Sequence, residues 1–139
     1  MLIGEYQHNI DAKGRMIMPS RFREDLGDTF IVTKGLPDCL FVYSVDEWKR
    51  LEEQIRSQPM GRSINLQRFF FSGAIDVEVD KQGRILIPQK LRAHAKLVKD
   101  VTVIGVSSRC EIWNTELWNE QTSGITSEDI LNAMNDLGF

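Results

Sequence analysis

The chain has 139 residues, of which 42% are hydrophobic and 27% charged, and a formal net charge of −3. That composition fits one ordinary soluble domain or two very small ones. No apolar run approaches the ~18 residues needed to span a bilayer, and "MLIGEYQHNID" lacks a basic region followed by an apolar core, so the expectation is no membrane span, no signal peptide and a cytosolic location.

The first predicted element is a strand. In "EYQHNI" the alternation puts Tyr6, His8 and Ile10 on one face, the pattern of a half-buried strand. "DAKG" follows. Asp11 at the first position and Gly14 at the fourth suit a type I turn closed by a glycine at positive φ, with the Asp11 carboxylate bonding the turn's own N–H groups. "RMIM" continues as a short strand. Pro19 stops it and opens a short helix that ends at Gly27. A hairpin comes next, turning at "GLPDC". Ser44-Val45-Asp46-Glu47 reads as a capping box for a helix that presents Trp48, Leu51 and Ile55 on one side. "QPMG", residues 58–61, breaks the chain. "INLQRFFFSGA" reads as a linking helix. Phe69, Phe70 and Phe71 cannot all face one core, so some should pack between halves or between subunits.

From there the chain repeats itself. "IDVEV" puts Ile75, Val77 and Val79 on one strand face, and "DKQGRILIP", residues 80–88, restates "DAKGRMIMP", residues 11–19. Over 11–23 and 80–92, five of thirteen positions are identical and five more are conservative swaps. Pro88 takes the place of Pro19, "VSSRC" that of "GLPDC", Cys110 that of Cys39 and Trp118 that of Trp48. A repeat of half the chain defines the architecture. The tail ends in a short helix, "SEDILNAMNDLG", stopped by Gly138.

Charge follows the repeat. Residues 11–23 carry a net +3 and residues 80–92 another +3, leaving −9 for the remainder; from Cys110 to Phe139 there are six acids and no Lys or Arg. Positive charge gathered on two equivalent turns steers an anionic partner to one face.

Catalysis is a poor fit. Two aspartates in symmetric halves suggest an aspartic-protease dyad, but that design needs a small hydroxyl residue and a Gly directly after each Asp. Ala12-Lys13 and Lys81-Gln82 stand there instead, and a nearby cation holds each Asp ionised. There is no nucleophile elbow, P-loop or dinucleotide-binding glycine pattern. Cys39 and Cys110 form no C-x-x-C pair and read as small buried hydrophobes; His8 and His94 stand at no ligand spacing from them, so no metal site is expected. His8 matches Val77 in the repeat and reads as a packed side chain. His94 has no visible partner.

Nucleic-acid binding fits better. Each turn tip presents cations on a rigid hairpin, Lys13 and Arg15 in one and Lys81 and Arg84 in the other. A guanidinium bonds guanine O6 and N7, or phosphate, bidentately. Arg21, Arg23, Lys90 and Arg92, on the helical turns that follow, are placed to hold phosphates. Asp11, Gly14, Asp80 and Gly83 support the turns.

"GEYQHNIDAKGRMIMPSRFRE", "RFFFSGA" and "DKQGRILIP" together resemble the MraZ family of bacterial transcriptional regulators, within the AbrB-like group. The resemblance implies an α+β, mainly β fold of duplicated AbrB-like swapped-hairpin β-barrel modules with short flanking helices. The modules would span 5–47 and 74–117, with a helical tail over 118–139. It implies a non-enzymatic, repressor-type regulator of the division and cell-wall gene cluster. Such a protein acts in the cytoplasm on the nucleoid, without cofactor. It also implies a ring-shaped homo-oligomer on double-stranded DNA, at short repeated operator boxes upstream of its own operon, with Arg15 and Arg84 facing the DNA. A loop of about four cations holds DNA weakly at physiological salt, and a ring raises the effective concentration of each further contact. Two rivals stay open: a ring scaffold that binds an acidic protein, and a small double-barrel hydrolase.

Overall fold

The first strand finds its partner near the other end of the chain. The computed structural model describes residues 1–139. Its elements are β1 (Leu2–Asn9), β2 (Arg15–Ile17), α1 (Ser20–Leu26), β3 (Thr29–Lys34), β4 (Leu40–Ser44), α2 (Val45–Arg56), α3 (Met60–Ser72), β5 (Ile75–Glu78), β6 (Arg84–Leu86), α4 (Gln89–Ala95), β7 (Asp100–Ser107), β8 (Cys110–Asn114), α5 (Thr115–Ser123) and α6 (Ser127–Asp136). β1 runs antiparallel to β7, with Leu2 opposite Ser107 and Asn9 opposite Asp100. In the same way β5 pairs with β3, and β2 pairs with β6. Each repeat thus lends its first strands to the other.

The six-stranded sheet has the order β1-β7-β8-β4-β3-β5, and every pair in it is antiparallel. Its two edge strands, β1 and β5, lead through the DxxG turns into β2 and β6. The β2–β6 ribbon therefore closes the space between the two edges into a barrel. Twenty buried residues from both repeats fill it, among them Met16, Phe22, Phe30, Val42, Ile85, Leu91, Val103 and Ile112. The fold is α+β, with 31% of residues in strands and 42% in helices; its β character lies in the barrel, and the helices pack around it.

The outer faces of β4 and β8 carry a second, aromatic core. Phe41, Tyr43, Trp113, Ile55 and Phe70 are buried there, with Trp48, Leu51, Phe69, Phe71, Leu117 and Trp118 packed against them. All three consecutive phenylalanines are accommodated within the chain. Phe70 stacks on Phe41, Phe71 meets Trp48 edge-on, and Phe69 meets His94 of the second repeat. Phe70 is buried in the cluster and Phe69 and Phe71 flank it half-buried, and Thr33 Oγ1 ties α3 to the sheet by donating to the Phe70 carbonyl at 2.7 Å. His94 has a partner after all, its Nε2 lying 2.8 Å from the Gly35 carbonyl. The buried Glu111 joins the cluster to a half-exposed Arg109: its carboxylate accepts from Arg109 Nη2 at 2.7 Å and from Trp113 Nε1 at 3.0 Å.

Local signals in the sequence map onto the element ends. Pro19 and Pro88 are the N-caps of α1 and α4, and Gly27 ends α1 at φ 83°. Ser44 caps α2 by accepting the Glu47 N–H. The reciprocal half of the expected capping box is absent, because the Glu47 carboxylate pairs with Arg50 instead. A complete box forms at α6, between Thr126 and Asp129. Cys39 and Cys110 are free, fully buried thiols, and burial pushes both up to about 12.

Candidate nucleic-acid interface

The two turns are built alike, atom for atom. In the first, Asp11 Oδ1 accepts the N–H groups of Lys13 and Arg15 at 3.0 and 2.9 Å, and Oδ2 accepts Arg15 Nε at 2.9 Å. In the second, Asp80 Oδ1 accepts from Gln82 and Arg84 at 2.8 and 2.9 Å, and Oδ2 accepts Arg84 Nε at 3.0 Å. Gly14 (φ 90°) and Gly83 (φ 79°) take the left-handed conformation that closes each turn. The Arg15 N–H, with the Arg15 guanidinium and the Lys13 N–H, holds the Asp11 carboxyl below its ordinary value; Arg84 and Gln82 do the same to Asp80. Both carboxylates are thus fixed as anions, and each pins one arginine by its Nε alone. The Nη groups of Arg15 and Arg84 make no hydrogen bond within the chain, so each guanidinium presents its two-pronged end outward.

Strand pairing then places the two arginines. In the β2–β6 ribbon Arg15 stands opposite Leu86, Met16 opposite Ile85, and Ile17 opposite Arg84. Met16 and Ile85 point into the barrel, and the other four side chains share the outer face. The offset of two residues separates the arginines by about 7 Å along the ribbon, roughly two base-pair steps. Ile17 and Leu86, each directly across from one of the arginines, are 45% and 57% exposed. Sequence reasoning missed these two as surface residues, although the alternation in "RMIM" and "RILI" puts them on the arginine face.

Each turn leans on the other repeat. The Ile87 N–H donates to the Gly14 carbonyl at 2.8 Å, and the Met18 N–H donates to the Gly83 carbonyl at 3.1 Å. Arg92 lies behind the first turn, its Nε donating to the Ile87 carbonyl at 2.9 Å and its Nη1 to the Ala12 carbonyl at 3.5 Å. Arg23 takes the equivalent place behind Gly83, but its Nε is buried without a partner. Interlocking puts the helix of one repeat at the back of the other's turn, so these two arginines stand behind the tips. Lys13, Lys81, Arg21 and Lys90 are exposed. Arg21 faces a groove of about 850 Å³ beside the ribbon, shared with Ile17, Pro19 and Ser20.

Residues 1–63 and 70–136 match the sequence model of a family described as "MraZ protein, putative antitoxin-like". The chain belongs to the MraZ family. It is 54% identical to a protein of Alkaliphilus metalliredigens (strain QYMF) and 51% identical to proteins of Thermoanaerobacter sp. (strain X514) and Caldanaerobacter subterraneus subsp. tengcongensis, each alignment covering 100% of both chains. Each of these relatives is named "Transcriptional regulator MraZ". The MraZ match spans both repeats, so both turns belong to the family's own architecture. No helix of the chain is long and apolar enough to cross a membrane.

Proposed function

We propose that this MraZ chain is a non-catalytic, sequence-specific DNA-binding transcriptional regulator that reads short operator boxes with the outer face of its β2–β6 ribbon. One observation carries the reading: Arg15 and Arg84 project from one exposed ribbon face, each pinned through Nε by an ionised aspartate, each with its Nη groups free. A two-stranded ribbon fits the major groove, and a guanidinium held this way is preorganised for a bidentate bond to guanine. Ile17 and Leu86, each across the ribbon from one arginine, suit contact with thymine methyl groups. Lys13, Lys81, Arg21 and Lys90 hold flanking phosphates and set the register. Arg92 acts from behind, by holding the first turn through its hydrogen bonds, and Arg23 packs behind the second.

The names of the relatives support the regulator reading. The rest is this chain's own reading: a repressor of the division and cell-wall gene cluster, acting in the cytoplasm at the nucleoid as a ring on repeated boxes upstream of its own operon. A single ribbon makes too few contacts for selectivity against a genome of competing sites, so adjacent subunits engage adjacent boxes.

The experiment is affinity for duplex DNA from the chain's own upstream region, for the same duplex with one box removed, and for one with ~5 bp inserted between boxes, about half a helical turn. Each is measured at two salt concentrations, for wild type and Arg15→Ala. Loss of affinity on box removal and on insertion, with a steep salt dependence, is the expected result. Equal affinity for all three duplexes, or affinity insensitive to salt and to Arg15→Ala, rejects the reading.

A further inference from the structure

The repeat gives the molecule two equivalent grooves, each between an edge strand and the helix that follows its ribbon strand. The first, along β1 and α1, is lined by Tyr6, Pro19 and Arg21 together with Glu24 and Asp25, and Met1 sits in it with its amino terminus bonded to Asp25. The second, along β5 and α4, has a volume of about 530 Å³ and a largely apolar lining that includes Ile75, Pro88 and Leu91. Its charged residues are Lys34 and Lys90, and it contains no acid, because Ala93 and His94 stand where the first repeat has Glu24 and Asp25. The first groove is the larger and of mixed charge, with Arg21 and Arg23 beside Glu24 and Asp25. The second is smaller, mostly apolar in surface, and its only charges are cationic.

Elsewhere on the chain is a helix of the opposite character with nothing against it. α6 carries Ile130, Leu131, Met134 and Leu137 at the spacing of one helical face, and all are exposed, Leu131 at 59% and Leu137 at 76%. From Gly124 to Phe139 the segment holds Glu128, Asp129 and Asp136 and no Lys, Arg or His. Its hydrogen bonds stay within residues 122–139.

We infer that α6 of one subunit docks in the β5–α4 groove of a second copy of this chain. Its apolar face covers Ile75 and Leu91, and its acids meet Lys34. Charge favours this groove over its equivalent, where Glu24 and Asp25 offset Arg21, Arg23 and the Met1 amino group and leave the lining less cationic. Reach selects a second copy over the same chain. Ser123 lies beside Val98 to Asp100 at the start of β7, whereas the groove lies along β5. In the barrel, three strands separate β7 from β5 in either direction. The linker Gly124–Thr126 reaches only ~10 Å. The contact is head-to-tail, helix of one copy to groove of the next, which is the interface type that generates rings. It rests on the oligomeric reading above and names the contact that would build the oligomer.

The test is sedimentation velocity at micromolar concentration on the full chain and two variants. Leu131→Asp/Met134→Asp spoils the helix and leaves the groove; Lys34→Glu/Gln89→Glu spoils the groove and leaves the helix. All four substituted residues lie outside the proposed DNA-contacting set. The expected result is that wild type forms a large assembly, each variant alone does not, and the two mixed recover a pair of subunits, since one supplies the intact groove and the other the intact helix. Both variants should stay folded by circular dichroism, and the helix variant should keep wild-type affinity for single-box DNA. A wild-type chain that is monomeric overturns this contact and the ring reading together. A wild-type assembly that persists in both variants, or variants that dissociate but do not recover a pair on mixing, overturns the contact and leaves the ring reading standing.

Discussion

The guanidinium of Arg92 occupies the space a side chain at Gly14 would need: a β-carbon built there lies 2.8 Å from Arg92 Nε and 2.5 Å from the Ile87 carbonyl oxygen. Residues of one repeat thus form the floor of the other's turn. At Gly83 the nearest atoms belong to the end of the Arg23 side chain, at 3.3 Å.

That difference separates two substitutions that look equivalent. Both glycines have positive φ, so alanine costs each about 1–2 kcal/mol. Gly14→Ala also collides with backbone, which cannot move aside, and should lose stability well beyond that range. Gly83→Ala should stay within it, because a flexible side chain can give way. Urea unfolding of the two variants decides; equal losses would contradict the asymmetry of the floors.

The arginines behind the turns should differ in the same sense. Arg92→Met removes donors from the Ile87 and Ala12 carbonyls and should cost ~1–3 kcal/mol, the range for orphaning buried polar groups. Arg23→Met removes a buried Nε that has no partner, keeps most of the packing, and should be near neutral or stabilising. Thermal melts of the pair give the comparison. A larger loss at Arg23 than at Arg92 rejects it.

Acid should loosen the turns. Asp11 and Asp80 both titrate below the ordinary carboxyl value of 3.8. A group depressed in the folded state contributes stability above its unfolded pKa, and that contribution fades as pH falls through the folded value. Wild-type stability should therefore decline below about pH 4, and Asp11→Asn/Asp80→Asn should flatten that part of the profile while lowering stability at neutral pH. Melting temperature against pH, from pH 7 downward, is the measurement. A variant profile parallel to wild type throughout would mean that the aspartates are not the titrating groups.

Cations on the tips and arginines on the ribbon should lose different things. Lys13→Ala should weaken binding about equally for all DNA sequences and reduce the salt slope by about 1. Arg15→Ala should cost about 1–3 kcal/mol at its own base pair and relax specificity there. Competition binding with operator and scrambled duplexes distinguishes them, and loss of specificity in Lys13→Ala with none in Arg15→Ala would reverse the assigned roles.

Much of the local structure was legible because it is local. An Asp with a Gly three residues on dictates a turn whatever the rest of the chain does, and Pro19, Pro88 and Gly27 mark helix ends for backbone reasons alone. The interlocking of the repeats was not legible from alternation in "EYQHNI", which shows that a strand has an inward face but not which strand pairs with it. The places of Arg23 and Arg92 depend on that pairing, so their charge alone suggested phosphate contacts. The Phe69–Phe71 run misled in another way. Phe69 does pack between the halves, against His94, but Phe70 and Phe71 share the same cluster, and nothing in the sequence shows that Phe41 and Trp48 wait there for them. The alignment of Arg15 with Arg84 on one face came from two ends of a ribbon that only register defines.

The pairing of β1 with β7 also sets an order of events during synthesis. Leu2 has to wait for Ser107, and Asn9 for Asp100. At about 5–20 residues per second the N-terminal strand emerges some 5–20 seconds before its partner exists. For most of that interval the first repeat also lacks β5 and β6, so Met16, Met18 and Phe22 have no completed barrel to enter. A nascent chain of this protein is therefore exposed to pairing with the same strands on a neighbouring nascent chain, as happens when ribosomes follow one another closely on a message. Closure within one chain depends on how soon the second repeat arrives, so the spacing of ribosomes bears on whether the newly made protein folds alone or entangled with its neighbour.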